Sequence, residues 1–168
     1  MKFKTPACTV TKKGQTVNLQ KDLVINPKDA SSKRLSWKSG NKNTATVDKN
    51  GKVKFKASKG RVTITATALD GSKKSAKITV IYGKKITRLK INKSSLTLKK
   101  GKSFNLKAEI VKPEKPAYKK LIWSSANSKV AKVDSKGKVK AAGRGRTTIT
   151  AMAGDGSGKT IKCKVTVK

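Results

Sequence analysis

The sequence predicts an all-β chain built as two antiparallel β-sandwiches in series, joined by a short linker. Three observations carry this expectation. Apolar and polar residues alternate with period 2 in many short segments, turn-forming pairs ending in glycine stand between those segments, and the second half of the 168-residue chain repeats the first. No segment sustains apolar residues at i, i+3, i+4 and i+7, the spacing of an amphipathic helix.

The repeat is explicit. Residues 37–54 ("WKSGNKNTATVDKNGKVK") and 123–140 ("WSSANSKVAKVDSKGKVK") share ten identities in 18 positions at an offset of 86, among them Trp37/Trp123, Asp48/Asp134 and Gly51/Gly137. Upstream, "KKGQTVNL" (12–19) matches "KKGKSFNL" (99–106) at an offset of 87. Downstream the offset is 85 at "TITA" (63–66 and 148–151), and 87 on pairing Val80 with Val167. Small insertions between matched segments belong in loops. The two units are placed at 1–82 and 83–168, meeting at "IYGKKI" (81–86). So short a joint is expected to limit bending, giving a semi-rigid rod. The opening strand of the first unit is expected to be truncated or ragged, because "ITRLKINKSSLTL" (86–98) opens the second while only "MKFKTPACTVT" opens the first.

Each strand follows from its parity. Short strands fit residues 35–37, 45–47, 52–55 and 76–80, each with a counterpart in the second half. "VTITATA" (62–68) puts Val62, Ile64, Ala66 and Ala68 on one side, and "SFNLKAEI" (103–110) does the same with Phe104, Leu106, Ala108 and Ile110. Asn50-Gly51, Lys136-Gly137, Asp70-Gly71 and Asp155-Gly156 supply the turns, since these residues accept positive φ. Many evenly spaced strands in about 80 residues are the pattern of a small sandwich.

Composition narrows the function. Hydrophobic residues make up 35% and aromatics 4%, so the cores draw on Val, Ile, Leu and Ala and do not favour a large, deep pocket. Lys+Arg number 43 against 8 Asp+Glu, a net charge of +35, and the scattered acids leave most of it uncompensated. Such a field attracts polyanions: nucleic acid, sulfated glycans, wall teichoic-type polymers and anionic headgroups. The absence of histidine excludes a Ser-His-Asp site, and no lysine is singled out for Ser-Lys chemistry, so no enzyme and no cofactor are expected. Cys8 and Cys163 each alternate with core residues and are not expected to pair with each other. No apolar run approaches the roughly 18 residues of a membrane span. The first residues lack the apolar stretch of a secretory signal, which leaves a cytosolic chain and a mature fragment both open.

The motifs Trp123-Ser124-Ser125, Asn127, Val130-Ala131-Lys132-Val133, Gly137-Lys138-Val139, Thr148-Ile149-Thr150-Ala151 and Lys164-Val165-Thr166-Val167 resemble the bacterial immunoglobulin-like group 2 family. The first unit departs more, with Lys38 at the first serine and Thr44 in place of the valine. The resemblance spans both halves. It implies an immunoglobulin-like fold and a place among tandem modules of bacterial surface proteins, including intimin-like adhesins, or of phage virions.

Candidate site residues are weighed on the same footing. Trp37 and Trp123 end alternating strands on the inward parity and are expected to be structural core rather than sugar-stacking platforms. Asp48, Asp134, Asp70 and Asp155 are isolated acids beside glycines and are expected to close turns rather than bind calcium, which needs six to eight oxygens or so. "ASKGR", "GRGR" and "GDGSGK" lack the helix of a phosphate loop and are assigned to turns. The lysines remain. Lys52, Lys54 and Lys56, then Lys138 and Lys140, then Lys162 and Lys164 alternate with core residues, making cationic sheet faces. These faces are candidates for a polyanion-binding surface, or for solvated edges that discourage sheet aggregation.

The resulting expectation is a non-enzymatic spacer or stalk of a cell-surface or secreted protein, contributing to adhesion, with a host or cell-wall polysaccharide or protein as ligand. The chain is expected to be a monomer within a longer multidomain chain. The alternatives are a cationic binding module for wall teichoic acid, glycosaminoglycan or nonspecifically held nucleic acid, and a virion decoration domain. Uncompensated lysines also predict a melting temperature that rises from low to moderate salt.

Overall fold

The computed structural model describes residues 1–26 and 34–168, which form two compact units, Met1–Lys85 and Ile86–Lys168. The first unit contains β1 (Lys2–Phe3), β2 (Ala7–Val10), β3 (Thr16–Asn18), a 3-10 turn (Gln20–Asp22), β4 (Leu23–Val24), β5 (Leu35–Ser39), β6 (Ala45–Val47), β7 (Lys52–Phe55), β8 (Arg61–Ala68) and β9 (Ser75–Tyr82). The second contains β10 (Arg88–Ile91), β11 (Ser95–Leu98), β12 (Ser103–Asn105), β13 (Ala108–Lys112), β14 (Leu121–Ser125), β15 (Ala131–Val133), β16 (Lys138–Ala141), β17 (Gly145–Ala153) and β18 (Thr160–Val167).

The strand plan is the same twice. One sheet has the order β2-β9-β8-β5 in the first unit and β11-β18-β17-β14 in the second; the facing sheet has β3-β7-β6 and β12-β16-β15. A two-stranded ribbon completes each unit, β1-β4 and β10-β13. Pairing is antiparallel except at one edge, where β2 runs parallel to β9 and β11 parallel to β18. Alternation reports which side a residue faces and is blind to strand direction, so this edge is invisible in the sequence.

Each unit closes its own core. Val10, Leu19, Ala45, Val53, Phe55, Val62, Ile64, Ile78 and Val80 are buried together in the first, and Leu106, Val130, Ala131, Val139, Ala141, Ile149, Cys163, Val165 and Val167 in the second. Burying a valine, leucine or isoleucine of this kind contributes about 1.5–3 kcal/mol, so aliphatic residues sustain each sandwich despite the low aromatic content. Cys163 is a small buried member of this core and Cys8 packs against the other; no disulfide joins them.

Two details depart from the sequence expectation. Residues 103–110 form two strands, β12 and β13, which pair with β16 and β10 in different sheets. Between them Leu106 stays buried while its N–H bonds the carbonyl of Gly137 at 3.0 Å, so the inward parity survives although the ladder is handed over. The offset in the last strand is 85 rather than 87: Val80 opposes Val62, and Val165, not Val167, opposes the equivalent Thr147.

Candidate functional site

The turns are built by short polar side chains. Asp48 Oδ1 accepts the N–H groups of Asn50 and Lys52, both at 2.9 Å, and Asp134 Oδ1 accepts those of Lys136 at 2.8 Å and Lys138 at 2.9 Å. These bonds, first that from Lys138 and then that from Lys136, hold the Asp134 carboxyl below its ordinary range. Asp70 Oδ1 accepts the Ser72 N–H at 2.9 Å, and its carboxyl is lowered chiefly by the Ser72 side chain. Asp155 is fully buried and accepts two N–H groups, from Ser157 at 2.9 Å and Ile86 at 2.6 Å. Each carboxylate is thus engaged by its own backbone, and no group of three or more His, Cys, Asp or Glu gathers among the described residues.

Trp37 and Trp123 lie half-buried against their cores instead of filling the centres, which belong to Phe55 and Leu19 in one unit and to Leu106 and Ile149 in the other. Each indole is laid over the glycine of the Asp-x-x-Gly turn. A Cβ on Gly51 would stand 2.6 Å from Trp37 Cζ2, and one on Gly137 would stand 2.8 Å from Trp123 Cζ2. Both glycines also have positive φ, 73° and 86°. The duplicated string is therefore one packing unit: the carboxylate closes the turn, the glycine lets it approach, and the tryptophan covers it. Trp37 further meets Phe3 at 6.2 Å between ring centroids and borders a cleft with Leu35, Lys49, Asn50 and the exposed Leu69.

The candidate lysines are exposed, but the fold distributes them. Lys52 and Lys54 lie on the outer face of β3-β7-β6, with Lys56 just beyond β7. Lys138 and Lys140 occupy the outer face of β12-β16-β15, whereas Lys162 and Lys164 lie on the opposite sheet of the same unit. None of them forms an ion pair among the described residues. Parity alone missed a neighbour: Lys132 on β15 stands directly opposite Lys140, two like charges across one antiparallel pair. By contrast, Lys90 on β10 stands opposite Glu109.

Strand register also gathers residues that no motif marks. On the outer face of β11-β18-β17, Ser95 opposes Lys164, which opposes Thr148, and Thr97 opposes Thr166, which opposes Arg146. These residues line an open depression of about 470 Å³.

Comparison with known proteins agrees with this architecture. The model of the bacterial Ig-like domain (group 2) matches twice, at residues 4–80 and 85–165. An uncharacterised protein of Clostridium acetobutylicum is 36% identical over 144 residues, covering 86% of this chain and 15% of that protein. An Ig-like virion protein of Serratia phage KSP90 is 29% identical over 157 residues, 92% of this chain and 59% of the relative. The chain thus spans only part of either. The crystal structure of the S-layer protein rSbsC(31-844) superposes with a TM-score of 0.45 at 18% identity, covering 89% of this chain and 22% of that one. With both halves matched over nearly their whole length, the chain belongs to the bacterial Ig-like domain (group 2) family, as two consecutive copies.

Proposed function

We propose that the chain is a non-enzymatic pair of modules in a longer surface, secreted or virion protein, where it holds neighbouring parts at a distance. The observation that carries this reading is the twice-built strand plan, in which each unit closes a separate aliphatic core and engages its turn carboxylates with its own backbone. The virion protein of Serratia phage KSP90 supports an exposed location. Replacing the pair within its parent chain by an unrelated two-domain β-sandwich of similar length tests the role. A spacer tolerates the exchange; loss of attachment or particle function on exchange overturns it. Antibody labelling of intact cells or particles tests the location.

A second reading is favoured by the lysines on both outer faces of the second unit, which make no ion pair among the described residues: the pair also binds an anionic polymer, such as wall teichoic acid or a glycosaminoglycan. Nucleic acid held this way would be bound through phosphate charge alone, with steep salt dependence. Retention on immobilised heparin that vanishes with modest salt marks charge-driven contact, and no retention overturns this reading.

A further inference from the structure

We propose that the outer face of β11-β18-β17 is a shaped site for a glycan-type polymer carrying ester oxyanions, sulfate or phosphate; this rests on the anionic-polymer reading above. Leu96, Leu98, Val165, Val167, Thr147 and Ile149 turn inward, which leaves Ser95, Thr97, Thr148, Thr166, Arg146 and Lys164 facing out. Their four hydroxyls make no hydrogen bond and the two cations no ion pair among the described residues, so all six have unused capacity. Arg146 and Lys164 lie diagonally across the β17-β18 pair, a spacing of about 7–8 Å between Cα atoms, with a threonine opposite each. The guanidinium fork grips a tetrahedral oxyanion in bidentate fashion and the ammonium supplies a second point charge. The hydroxyls between them donate to and accept from sugar hydroxyls. A depression of about 470 Å³ accommodates a short oligosaccharide segment. No aromatic residue lines it, so nucleobases find no stacking platform, and the chemistry favours a glycan over nucleic acid.

The first unit supplies an internal comparison. At the equivalent register positions it keeps Arg61 for Arg146 and Thr63 for Thr148, both exposed, but has Thr79 for Lys164, Ile81 for Thr166, Ala7 for Ser95 and Thr9 for Thr97, and Ala7, Thr9 and Ile81 are buried. The same place in the first unit thus keeps one exposed cation and one exposed threonine but has its β2 edge buried, whereas the second unit presents two cations and an exposed β11 edge. A module that needed only net charge would have no reason to concentrate free hydroxyls around two cations on a single face.

The decisive experiment separates a shaped site from diffuse charge by removing equal charge at two places. In the full chain at about 150 mM salt, where the screening length is about 8 Å, Arg146→Ala/Lys164→Ala is compared with Lys132→Ala/Lys140→Ala. Heparin tetrasaccharide is the sulfate probe and a glycerol phosphate oligomer the phosphate probe, both followed by calorimetry. The expected result is a loss of affinity of about tenfold or more for the first variant and under about threefold for the second. The probe that shows this difference identifies the ester. Equal losses overturn the shaped site while leaving charge-driven binding in place, and failure of the unaltered chain to bind either probe overturns both. Amide shift mapping on the unaltered chain provides a readout independent of variant folding. Shifts centred on Thr97, Thr148 and Thr166 support the site, and shifts centred on Lys132 and Lys140 overturn it.

Discussion

The carboxylate of Asp155 accepts the backbone N–H of Ile86 at 2.6 Å, fastening the first residue of the second unit to a turn 69 positions later. Both residues are buried, Ile86 at 1% exposure and Asp155 at 0%. In the first unit the equivalent Asp70 is exposed and is engaged by the N–H and side chain of Ser72, with no bond to the start of its unit among the described residues. Removing the Asp155 carboxylate strands a buried donor as well as deleting a charged acceptor, a cost of about 2–3 kcal/mol. Asp155→Ala should therefore lower the unfolding midpoint of the second unit and abolish hydrogen-exchange protection at the Ile86 amide. Asp70→Ala should leave the first unit's midpoint nearly unchanged. Calorimetry and amide exchange check both, and equal midpoint losses would refute the assigned anchor.

The tryptophan and the turn glycine act as a pair. A Cβ on Gly137 would lie 2.5 Å from the Leu106 carbonyl oxygen as well as 2.8 Å from Trp123 Cζ2, whereas one on Gly51 meets only the Trp37 indole among its nearest atoms. Backbone yields less readily than a half-buried ring. The positive φ alone costs a non-glycine residue about 1–3 kcal/mol. Gly137→Ala should thus destabilise its unit by about 3 kcal/mol or more, and by more than Gly51→Ala destabilises the other. Urea unfolding of the two variants checks the order. If the indole contact is the cause, adding Trp123→Phe to Gly137→Ala should cost less than the two single changes summed.

What was legible in the sequence follows from what alternation and turn chemistry encode. Gly51, Gly71, Gly137 and Gly156 have positive φ where the Asn-Gly, Lys-Gly and Asp-Gly pairs predict turns, and residues 45–47 and 52–55 are strands as expected. Parity also placed Val62, Ile64 and Ala66 inward. It could not report that residues 103–110 change sheets at Leu106, because inward parity is the same on both sides of that crossing. Trp37 and Trp123 have the inward parity yet lie half-buried, since parity gives a direction and not a depth. The Lys132–Lys140 opposition and the Arg146–Lys164 face depend on the register of the β15-β16 and β17-β18 pairs, since alternation gives a residue a side but not a partner.

The acid limb of stability should depend on Asp134. Its carboxyl is held below the ordinary 3.8 by the Lys138 and Lys136 N–H bonds, so folding favours its charged form. That contribution is fully present above the unfolded value and disappears as pH falls through the lower folded one. Asp134→Asn should consequently be less stable than the parent chain at neutral pH, with the gap narrowing below about pH 3.8. Thermal melts across pH 2–7 or so check this. A gap that stays constant to the lowest pH would show that geometry, not ionisation, is responsible.

Lys132 and Lys140 face each other in an antiparallel pair, where directly opposed like charges are destabilising. Both are exposed and neither has an acidic partner among the described residues, so solvent ions are what screens their repulsion. Lys132→Glu should convert the repulsion into attraction and raise the melting temperature of the second unit. The gain should be largest at low salt and shrink as the screening length falls from about 30 Å at 0.01 M to about 8 Å at 0.15 M. The parent chain, at a net charge of +35, should itself melt higher in moderate than in low salt. Melts of both proteins over that range check the pair and the whole-chain effect together. Lys90→Glu serves as the control, because it places like charge opposite Glu109 and should lower the melting temperature instead. A parent melting temperature that is flat or falls with salt would refute charge strain as a determinant of stability, and equal responses to Lys132→Glu and Lys90→Glu would refute the register-specific pairing.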